Sequence, residues 1–261
     1  APMLFIGEEL GRGTGPELHI AVDPLENTNA AARFGPRATS VLAASEPGGL
    51  FHAPDTYMNK LIVGPWARGV VDITAPVGQN LEHLARALDR KVSDLVIVVL
   101  KRPRNEQLIQ DIRATGARVQ LIEDGDLIPG VAVCMKGSSI HAVMGIGAAP
   151  EGVLSAAGLR TLGGEMQARF WPKDDVQKER LLAMGGDLGK IYTERDLASG
   201  RTMIFSATAV TDGDLFRGVR FFGGGARTHS LLIYSNGEIG EVSFVDKTHI
   251  FDPSTVEFRV S

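Results

Sequence analysis

Two acidic residues and a hydroxyl lie close together in the stretch "VDPLENT", directly after the strand-like run "LHIAV". Asp23, Glu26 and Thr28 would stand at the carboxyl end of a strand, where open α/β sheets bind ligands, so the stretch fits half of a metal site. It also fits a helix start that contributes about 1 kcal/mol, with Asp23 as N-cap, Pro24 in the first turn and Glu26 at the third position. That helix would meet the break "RFGP" within a few residues. Spacing alone leaves both interpretations open.

Any metal bound by this chain is expected to be a hard cation held by oxygen. None of the 6 histidines falls in HxH or HExxH spacing, and there is 1 cysteine, so a zinc site is not predicted. Carboxylate ligands favour Mg²⁺ or Mn²⁺. Cys134, in the apolar run "GVAVCM", is interpreted as a small buried hydrophobic residue, with a catalytic thiol as the alternative.

A cluster of cations marks the run "LKRPRNE". Lys101, Arg102 and Arg104 surround Pro103 between a predicted strand and a predicted helix. Cations at a helix N-terminus oppose the macrodipole, each by about 0.3–1 kcal/mol. A bound phosphate would reconcile the arginines with the helix, because guanidinium groups and helix amides both favour anions. A phosphate site and a solvated charged turn remain equal alternatives.

The tripeptide Asp-Gly-Asp occurs twice after strand-like runs, in "IEDGDL" and "VTDGDL". Asp124 with Asp126, and Asp212 with Asp214, are interpreted first as turns that start helices. Hydrogen bonding to sugar hydroxyls is the alternative role for one of the pairs. Neither run continues into a calcium-binding loop.

Glu151 follows the run "GIGAAP", which lacks the spacing of a dinucleotide-binding fingerprint. The pattern places Glu151 at a helix N-terminus after a buried strand. Complementation of the helix dipole and a third metal carboxylate are the two candidate roles.

The elements that must position these residues change character near residue 90. Short strands and glycine-rich turns come first, closed by a helix in "VGQNLEHLARALDRK" for which Asn80 is a possible cap. Strands and helices then alternate, which predicts a layered α/β architecture, and Gly116 is a predicted helix stop. The predicted strands are "LHIAV", "TSVLAAS", "MNKLIVGP", "DLVIVVL", "RVQLIE", "HAVMGIG", "TMIFSATAV", "HSLLIYS" and "GEVSFVD". The predicted helices after residue 90 are "PRNEQLIQDIRATG", "APEGVLSAAGLRTLGG" and "DDVQKERLLAMGGD".

Composition excludes several classes of protein. The 261 residues are 44% hydrophobic and 22% charged with a net charge of −4, which suits a globular protein with a large core. No basic tract favours nucleic acid or an anionic membrane, and no apolar run approaches the roughly 20 residues of a membrane helix. A single cysteine and no visible secretory signal predict a cytoplasmic location. The chain opens with "APMLFIGEEL", which is already strand-like.

These stretches together resemble the class II fructose-1,6-bisphosphatases, including the bifunctional fructose/sedoheptulose bisphosphatases of bacteria. The first runs also resemble the wider lithium-sensitive phosphatase superfamily, whose signature is D-P-[IL]-[DE]-G-T. The matching runs keep the family's order and cover nearly the whole chain: "APMLFIGEE", "AVDPLENTN", "APDTYMNKLIVGP", "KRPR", "DGD", "GIGAAPEGVLSAA" and "FSATAVTDGDL".

The resemblance implies a layered α-β-α-β-α fold and Mg²⁺- or Mn²⁺-dependent hydrolysis of the 1-phosphate of a sugar bisphosphate by a homo-oligomer in gluconeogenesis. It divides the chain into a metal-motif subdomain (1–92) and a substrate-binding subdomain (93–261). The implied metal ligands are Asp23, Glu26 and Glu151, and the implied catalytic residues are Asp23, Glu26 and Thr28, with Thr28 orienting or deprotonating the attacking water. The implied substrate contacts are Glu26, Asn27, Thr28, Tyr57, Arg102, Arg104, Asp124, Asp126 and Ala148. Asp212 and Asp214 are kept as a structural turn.

The sequence departs from the family pattern at three places. Asn27 and Ala148 stand where the family has glycine, and family members begin several dozen residues earlier, with an aspartate and a glutamate that complete the metal site. If this chain is the whole protein, a strongly impaired enzyme is the physical expectation, since phosphomonoester hydrolysis needs an acceleration of up to about 10²¹-fold. The alternative functions are a catalytically impaired phosphosugar-binding relative and an inositol-phosphatase-like enzyme.

Overall fold

The computed structural model describes residues 6–237 and 239–251. Residues 1–5 of the opening run lie outside this part, and residues 6–10 do not form a strand, so the strand-like prediction is wrong for the described half of the run. The described strands are β1 (His19–Glu26), β2 (Thr39–Ser45), β3 (Tyr57–Val63), β4 (Val96–Leu100), β5 (Arg118–Ile122), β6 (Ala142–Ala148), β7 (Glu165–Phe170), β8 (Tyr192–Thr193), β9 (Met203–Ala209), β10 (Arg220–Phe222), β11 (Gly225–Ser235) and β12 (Gly240–Ile250). The described α-helices are α1 (Thr28–Ala32), α2 (Val77–Ala87), α3 (Glu106–Ala114), α4 (Leu127–Ala132), α5 (Ala149–Leu162), α6 (Asp175–Ala183) and α7 (Glu194–Leu197). None of these helices is long and apolar enough to cross a membrane.

The strands form two six-stranded sheets. In the first, the order is β1-β2-β9-β11-β10, all neighbours are antiparallel, and β12 pairs with the other side of β11. In the second, the order is β5-β4-β6-β3-β7-β8, and β4 runs parallel to both β5 and β6. Each sheet therefore takes strands from both sides of residue 92, and the division into subdomains 1–92 and 93–261 stays a prediction.

Helix α5 separates the two sheets. Its residues 152–159 are buried all round, and the packing is tight because they are small: a Cβ built on Gly158 would lie 2.9 Å from Val131. One apolar core joins α5 to both sheets, through Val41 of β2 and Ile62 of β3.

A second core lies on the opposite face of the second sheet. Leu84 of α2 and Ile112 of α3 pack there against Ile97 of β4. The described residues thus stack as sheet, helices, sheet, helices, which confirms the predicted α/β class.

Most predicted elements are confirmed, but two helix signals are wrong. Asp23 and Pro24 lie inside β1, so they do not start a helix. Asn80 is buried within α2, where its side chain donates to the carbonyl oxygen of Asp72 at 2.7 Å, and Pro76 occupies the cap position. The stop at Gly116 is confirmed, since its φ of +85° suits glycine. Strands β7, β8 and β10 had no predicted counterpart.

Candidate active site

An irregularity in β1 brings two acidic side chains together. Asp23 is opposite Val41 and Glu26 is opposite Thr39, so three steps along β1 match two steps along β2. Residues three apart on a regular strand point to opposite faces, and a bulge changes that direction. The two carboxylates consequently lie within electrostatic range of each other.

Glu26 is a buried acid with an unusual protonation equilibrium. Its side chain accepts hydrogen bonds from the backbone N–H of Leu127 and from the hydroxyl of Thr39, both at 3.3 Å. Burial, followed by the charge of Asp126, raises the pKa of Glu26 to about 8. The negative charges of Glu151 and Asp23 act in the same direction.

Glu151 enters the same cluster from the first turn of α5. Burial, followed by the charges of Asp126 and Asp23, raises the pKa of Glu151, while Lys60 opposes the shift. Its Oε2 is buried and has no hydrogen-bond partner. Burial likewise raises the pKa of Asp23, against a hydrogen bond from the backbone N–H of Leu25 at 3.1 Å.

The cluster has the donor chemistry of a site for a hard cation. Carboxylates that raise one another's pKa values, one with an orphaned buried oxygen, would be stabilised by positive charge between them. In residues 6–237 and 239–251, however, no three His, Cys, Asp or Glu side chains are close enough together to hold a metal ion. The structure therefore shows carboxylates in electrostatic contact, and binding a cation would require them to close in further.

Lys60 supplies the buried positive charge of the site. Its Nζ lies 2.7 Å from Oδ2 of Asp126 and donates to the carbonyl oxygen of Ala148 at 3.2 Å. A Cβ on Gly147 would lie 2.5 Å from the Asp126 carboxylate and 2.9 Å from Nζ, so the pair needs a residue without a side chain there. Breaking such a buried pair typically costs about 3–5 kcal/mol, because the remaining charge has no partner.

The cations of the "KRPR" run lie at the same end of the second sheet. The guanidinium of Arg104 stacks 4.3 Å from the ring centre of Tyr57, and its Nε donates to the carbonyl oxygen of Ile146 at 3.0 Å. Nη2 of Arg102 lies 3.7 Å from Oδ2 of Asp124. Because Asp124 also contributes to the raised pKa of Asp23, the arginines and the acidic cluster are neighbours.

Asn105 holds this end of the sheet in place. Strands β4 and β6 pair only at Ile97–Ala142 and Val98–Val143 and then separate. The Asn105 side chain fills the gap: it accepts from the N–H of Ile146 at 2.7 Å and donates to the carbonyl oxygens of Leu100 at 3.0 Å and Ile146 at 3.2 Å.

The remaining predicted contacts surround this cluster. Asn27 has φ +60° and ψ +52°, the left-handed conformation that glycine adopts without strain, and its Oδ1 accepts from the N–H of Ala30 at 3.3 Å. Thr28 follows in the first turn of α1 with an exposed side chain. Ala148 is extended, with φ −68°, and is the β-sheet partner of Tyr57, so alanine is unstrained there.

The two Asp-Gly-Asp runs differ. Asp212 accepts from the N–H of Gly218 at 2.8 Å, and Asp214 pairs with Arg37 at 2.6 Å, but no described helix follows this run, so the prediction of a turn that starts a helix is wrong there. Asp126 occupies the cap position of α4 but makes no capping hydrogen bond, because its carboxylate is turned to Lys60 instead. The first run does lead directly into a helix, as predicted, although the Asp126 side chain does not cap it.

Sequence reasoning missed Lys60 and Asn105 and was correct about Cys134. A lysine inside the apolar strand "MNKLIV" was the available signal for Lys60, since unpaired charges are not placed in central strands. No pattern in the sequence pointed to Asn105, which stands among the charged residues of the run "KRPRNE". Cys134 is buried, and burial raises the pKa of its thiol to about 12, which argues against a nucleophilic thiolate.

An α/β frame with this cluster of acids and arginines agrees with the comparisons to known proteins. The family described as "Bacterial fructose-1,6-bisphosphatase, glpX-encoded" matches residues 1–249. The chain belongs to this family, whose members are phosphoric monoester hydrolases.

Curated relatives of the chain carry names of the same kind. It is 47% identical over 285 residues to "D-fructose 1,6-bisphosphatase class 2/sedoheptulose 1,7-bisphosphatase" of Trichormus variabilis, covering 99% of this chain and 82% of the relative. The corresponding protein 2 of Acaryochloris marina is 47% identical over 277 residues, covering 97% and 79%. The protein of Synechococcus sp. is 46% identical over 287 residues, covering 99% and 82%.

Proposed function

We propose that the chain hydrolyses the 1-phosphate of fructose 1,6-bisphosphate, and that sedoheptulose 1,7-bisphosphate is a second substrate. The observation that supports this most directly is the buried acidic cluster, with its unpartnered Glu151 oxygen, next to Arg102 and Arg104. The names of the relatives point to the same substrates. A cytoplasmic place in gluconeogenesis and a homo-oligomeric assembly belong to this proposal.

Asp23, Glu26 and Glu151 would hold Mg²⁺ or Mn²⁺. A bound divalent cation supplies water of lowered pKa and neutralises charge on the phosphate oxygens. The raised pKa values of all three carboxyls support this assignment, because a cation would stabilise their ionised forms. Lys60 holds the Asp126 side chain beside them, with its Nζ 2.7 Å from Oδ2 of Asp126.

The phosphate and sugar would be bound by the residues around the cluster. Arg102 and Arg104 provide forked donors suited to phosphate oxygens, and Tyr57 holds the Arg104 guanidinium by stacking. Asp124 and Asp126 would accept hydrogen bonds from sugar hydroxyls. The backbone of residues 26–28, with Asn27 at its left-handed turn, and the backbone at Ala148 would complete the pocket.

Thr28 would orient the attacking water. Its hydroxyl, on the exposed residue at the start of α1, would accept a hydrogen bond from the attacking water. The water oxygen bonds to phosphorus, the bond between phosphorus and the sugar oxygen breaks, and one proton of the water ends on that sugar oxygen while the other stays on the released phosphate. A cation held by Asp23 and Glu26 would keep both carboxyls ionised, although their pKa values are raised in its absence. Arg102 and Arg104 stabilise the negative charge that spreads over the phosphoryl oxygens.

The test is phosphate release from fructose 1,6-bisphosphate with Mn²⁺ or Mg²⁺ and with a chelator. We expect turnover with the metal and a loss of at least about 100-fold in Asp23→Asn, as for other charged catalytic groups. Asp175→Asn, on the exposed start of α6, is the matched control and should keep full activity. Equal rates for Asp23→Asn and the control would contradict the assignment.

A phosphosugar-binding protein without turnover is the second candidate, favoured by the unconverged carboxylates. It predicts that fructose 1,6-bisphosphate raises the melting temperature in a saturable way while no phosphate is released. Comparing kcat/KM for fructose 1,6-bisphosphate, sedoheptulose 1,7-bisphosphate and inositol monophosphate separates a sugar-bisphosphatase from an inositol-phosphatase-like enzyme.

A further inference from the structure

Trp171 follows β7 at the end of the second sheet where the candidate active site lies. The register that pairs Met58 with Phe170 continues by one step, because the Trp171 N–H donates to the carbonyl oxygen of Tyr57 at 2.8 Å. Met58 and Phe170 both belong to the apolar core around α5. Successive residues of a strand point to opposite faces, so Tyr57 and Trp171 share the other face of the sheet.

The indole of Trp171 contacts the ring that carries Arg104. The Tyr57 and Trp171 rings meet edge to face, with their centres 6.3 Å apart at an angle of 66°. The guanidinium of Arg104 lies 4.3 Å from the centre of the same Tyr57 ring. The three side chains therefore form a continuous row that ends at a cation suited to phosphate.

Burial does not explain a tryptophan at this position. Trp171 is 41% exposed, whereas the preceding Phe170 is 6% exposed. Single exposed aromatic residues are common on protein surfaces and by themselves indicate no function. Contact with the Tyr57 ring distinguishes Trp171 from Trp66, which follows the opposite end of β3.

The backbone around Trp171 is held in place from both sides. Pro172 follows it and favours an extended backbone for the residue before it. Further along the chain, Oε1 of Gln177 accepts from the N–H of Lys173 at 3.0 Å and from the hydroxyl of Thr56 at 3.2 Å. This bridge fastens the segment after β7 to the residue that precedes β3, so the indole has a fixed place beside the first residue of β3.

We propose that Trp171 is a positioning residue for the bisphosphate: it fixes the Tyr57 ring, and through it the Arg104 guanidinium, where a phosphate oxygen is bound. Without the indole, the ring and the guanidinium would have to be ordered when the substrate binds, and that cost lowers affinity. The contribution of an aromatic pair of this geometry corresponds to about a 2- to 12-fold change in an equilibrium constant. The inference rests on the proposed function, since it requires a bisphosphate bound at Arg104.

Three substitutions at two tryptophans test this role. With Mg²⁺, Trp171→Leu should lower kcat/KM for fructose 1,6-bisphosphate about fivefold, because leucine cannot make the edge-to-face contact. Trp171→Phe keeps an aromatic edge and should stay within about twofold of the wild type. Trp66→Leu removes the other tryptophan, which is 55% exposed, and should leave kcat/KM unaltered. Equal values for Trp171→Leu and Trp66→Leu would overturn the proposal.

A double-mutant cycle separates positioning from a general loss of structure. In Tyr57→Leu the ring that connects the indole to Arg104 is absent, so adding Trp171→Leu should lower kcat/KM no further. A second loss of the same size in the double variant would show that Trp171 acts independently of Tyr57, and the proposal would fail. Circular dichroism of every variant verifies that the fold is retained.

Tryptophan fluorescence gives a readout that does not depend on turnover. The chain has 2 tryptophans, so Trp66→Leu leaves Trp171 as the only indole, and Trp171→Leu leaves Trp66. Fructose 1,6-bisphosphate added with Mg²⁺ should change the emission of the first variant in a saturable way and not that of the second. An unchanged emission from Trp171 would contradict its place beside the bound substrate.

Failure of the proposed hydrolysis is distinguishable from failure of this inference. A wild-type chain that releases no phosphate contradicts the proposed function, and titration calorimetry with Mg²⁺ then yields Kd in place of kcat/KM. A Kd raised about fivefold in Trp171→Leu would support the positioning role in that case, whereas an unchanged Kd would overturn it.

Discussion

At the scale of single residues, Glu26 makes stability depend on pH. Its pKa in the fold is about 8, against an ordinary value of 4.5. Between these values the folded chain keeps a proton that the unfolded chain releases, so in chelator the free energy of unfolding should fall as the pH rises. The slope approaches about 1.4 kcal/mol per pH unit and vanishes below the lower and above the upper pKa.

Urea unfolding at several pH values between these limits measures this effect. Glu26→Gln keeps a carbonyl acceptor for the Leu127 N–H but cannot titrate, so its stability should fall less with pH than that of the wild type. Glu179→Gln, on the exposed face of α6, should retain the wild-type slope. Parallel pH curves for Glu26→Gln and the wild type would contradict a raised pKa.

At Asn27, substitution by glycine and substitution by alanine should affect stability differently. Its left-handed backbone costs a residue with a Cβ about 1 kcal/mol or more, and asparagine offsets this through its hydrogen bond to the Ala30 N–H. Asn27→Gly should change the free energy of unfolding by only a few tenths of a kcal/mol, whereas Asn27→Ala should lower it by about 1–2 kcal/mol. Chemical denaturation measures both, and equal losses would show that the backbone conformation is not the constraint.

The site was partly predictable from the sequence because several of its residues stand in short motifs beside the ends of predicted strands. Asp23, Glu26 and Glu151 were chosen as acids next to strand ends, and the fold brings them into electrostatic contact. Lys60 is not predicted, because it lies in β3 while its partner Asp126 lies before α4, distant in sequence. Local patterns do not encode such a contact.

At the scale of elements, the site depends on how β4 and β6 separate. Asn105→Asp would place an acceptor-only group against the carbonyl oxygens of Leu100 and Ile146, which the amide now satisfies. We expect a loss of about 2–4 kcal/mol in the free energy of unfolding. Since Arg104 donates to the same Ile146 carbonyl, KM for the bisphosphate should rise as well.

Thermal melts and steady-state kinetics give both quantities. Gln79→Glu, on the exposed surface of α2, adds the same charge and should change both little. If Asn105→Asp matched this control, the amide would not be what holds the two strand ends together.

Strands and helices were predictable where the pattern of apolar residues was strong. They were missed where polar side chains are partly buried. The apolar run in β4 predicts a buried strand, and the leucine spacing in α2 predicts an amphipathic helix. Strand β7, "EMQARF", alternates correctly, but its polar half includes Gln167, whose amide binds the loop at Val71 and Ile73. Pairing with β3 stabilises it, and that partner lies about a hundred residues away in the sequence.

At the scale of the whole molecule, metal and fold should stabilise each other. The acidic cluster repels itself without a cation, so Mn²⁺ that binds the folded chain raises the melting temperature by mass action. At a hundredfold excess over Kd the gain is about 2.7 kcal/mol, which corresponds to roughly 5–10 °C for a chain of this size. Scanning calorimetry with Mn²⁺ and with chelator measures the difference.

Whether Glu151→Gln melts above or below the wild type should depend on whether Mn²⁺ is present. In chelator the variant should melt at or above the wild-type temperature, because the amide carries no charge, whereas burial and the charge of Asp126 disfavour the ionised Glu151. In Mn²⁺ the wild type should melt higher, because only it keeps the full set of carboxylates. Glu179→Gln should follow the wild type in both conditions. An equal rise in Glu151→Gln would mean that Mn²⁺ binds elsewhere, and the assignment of Glu151 as a ligand would then fail.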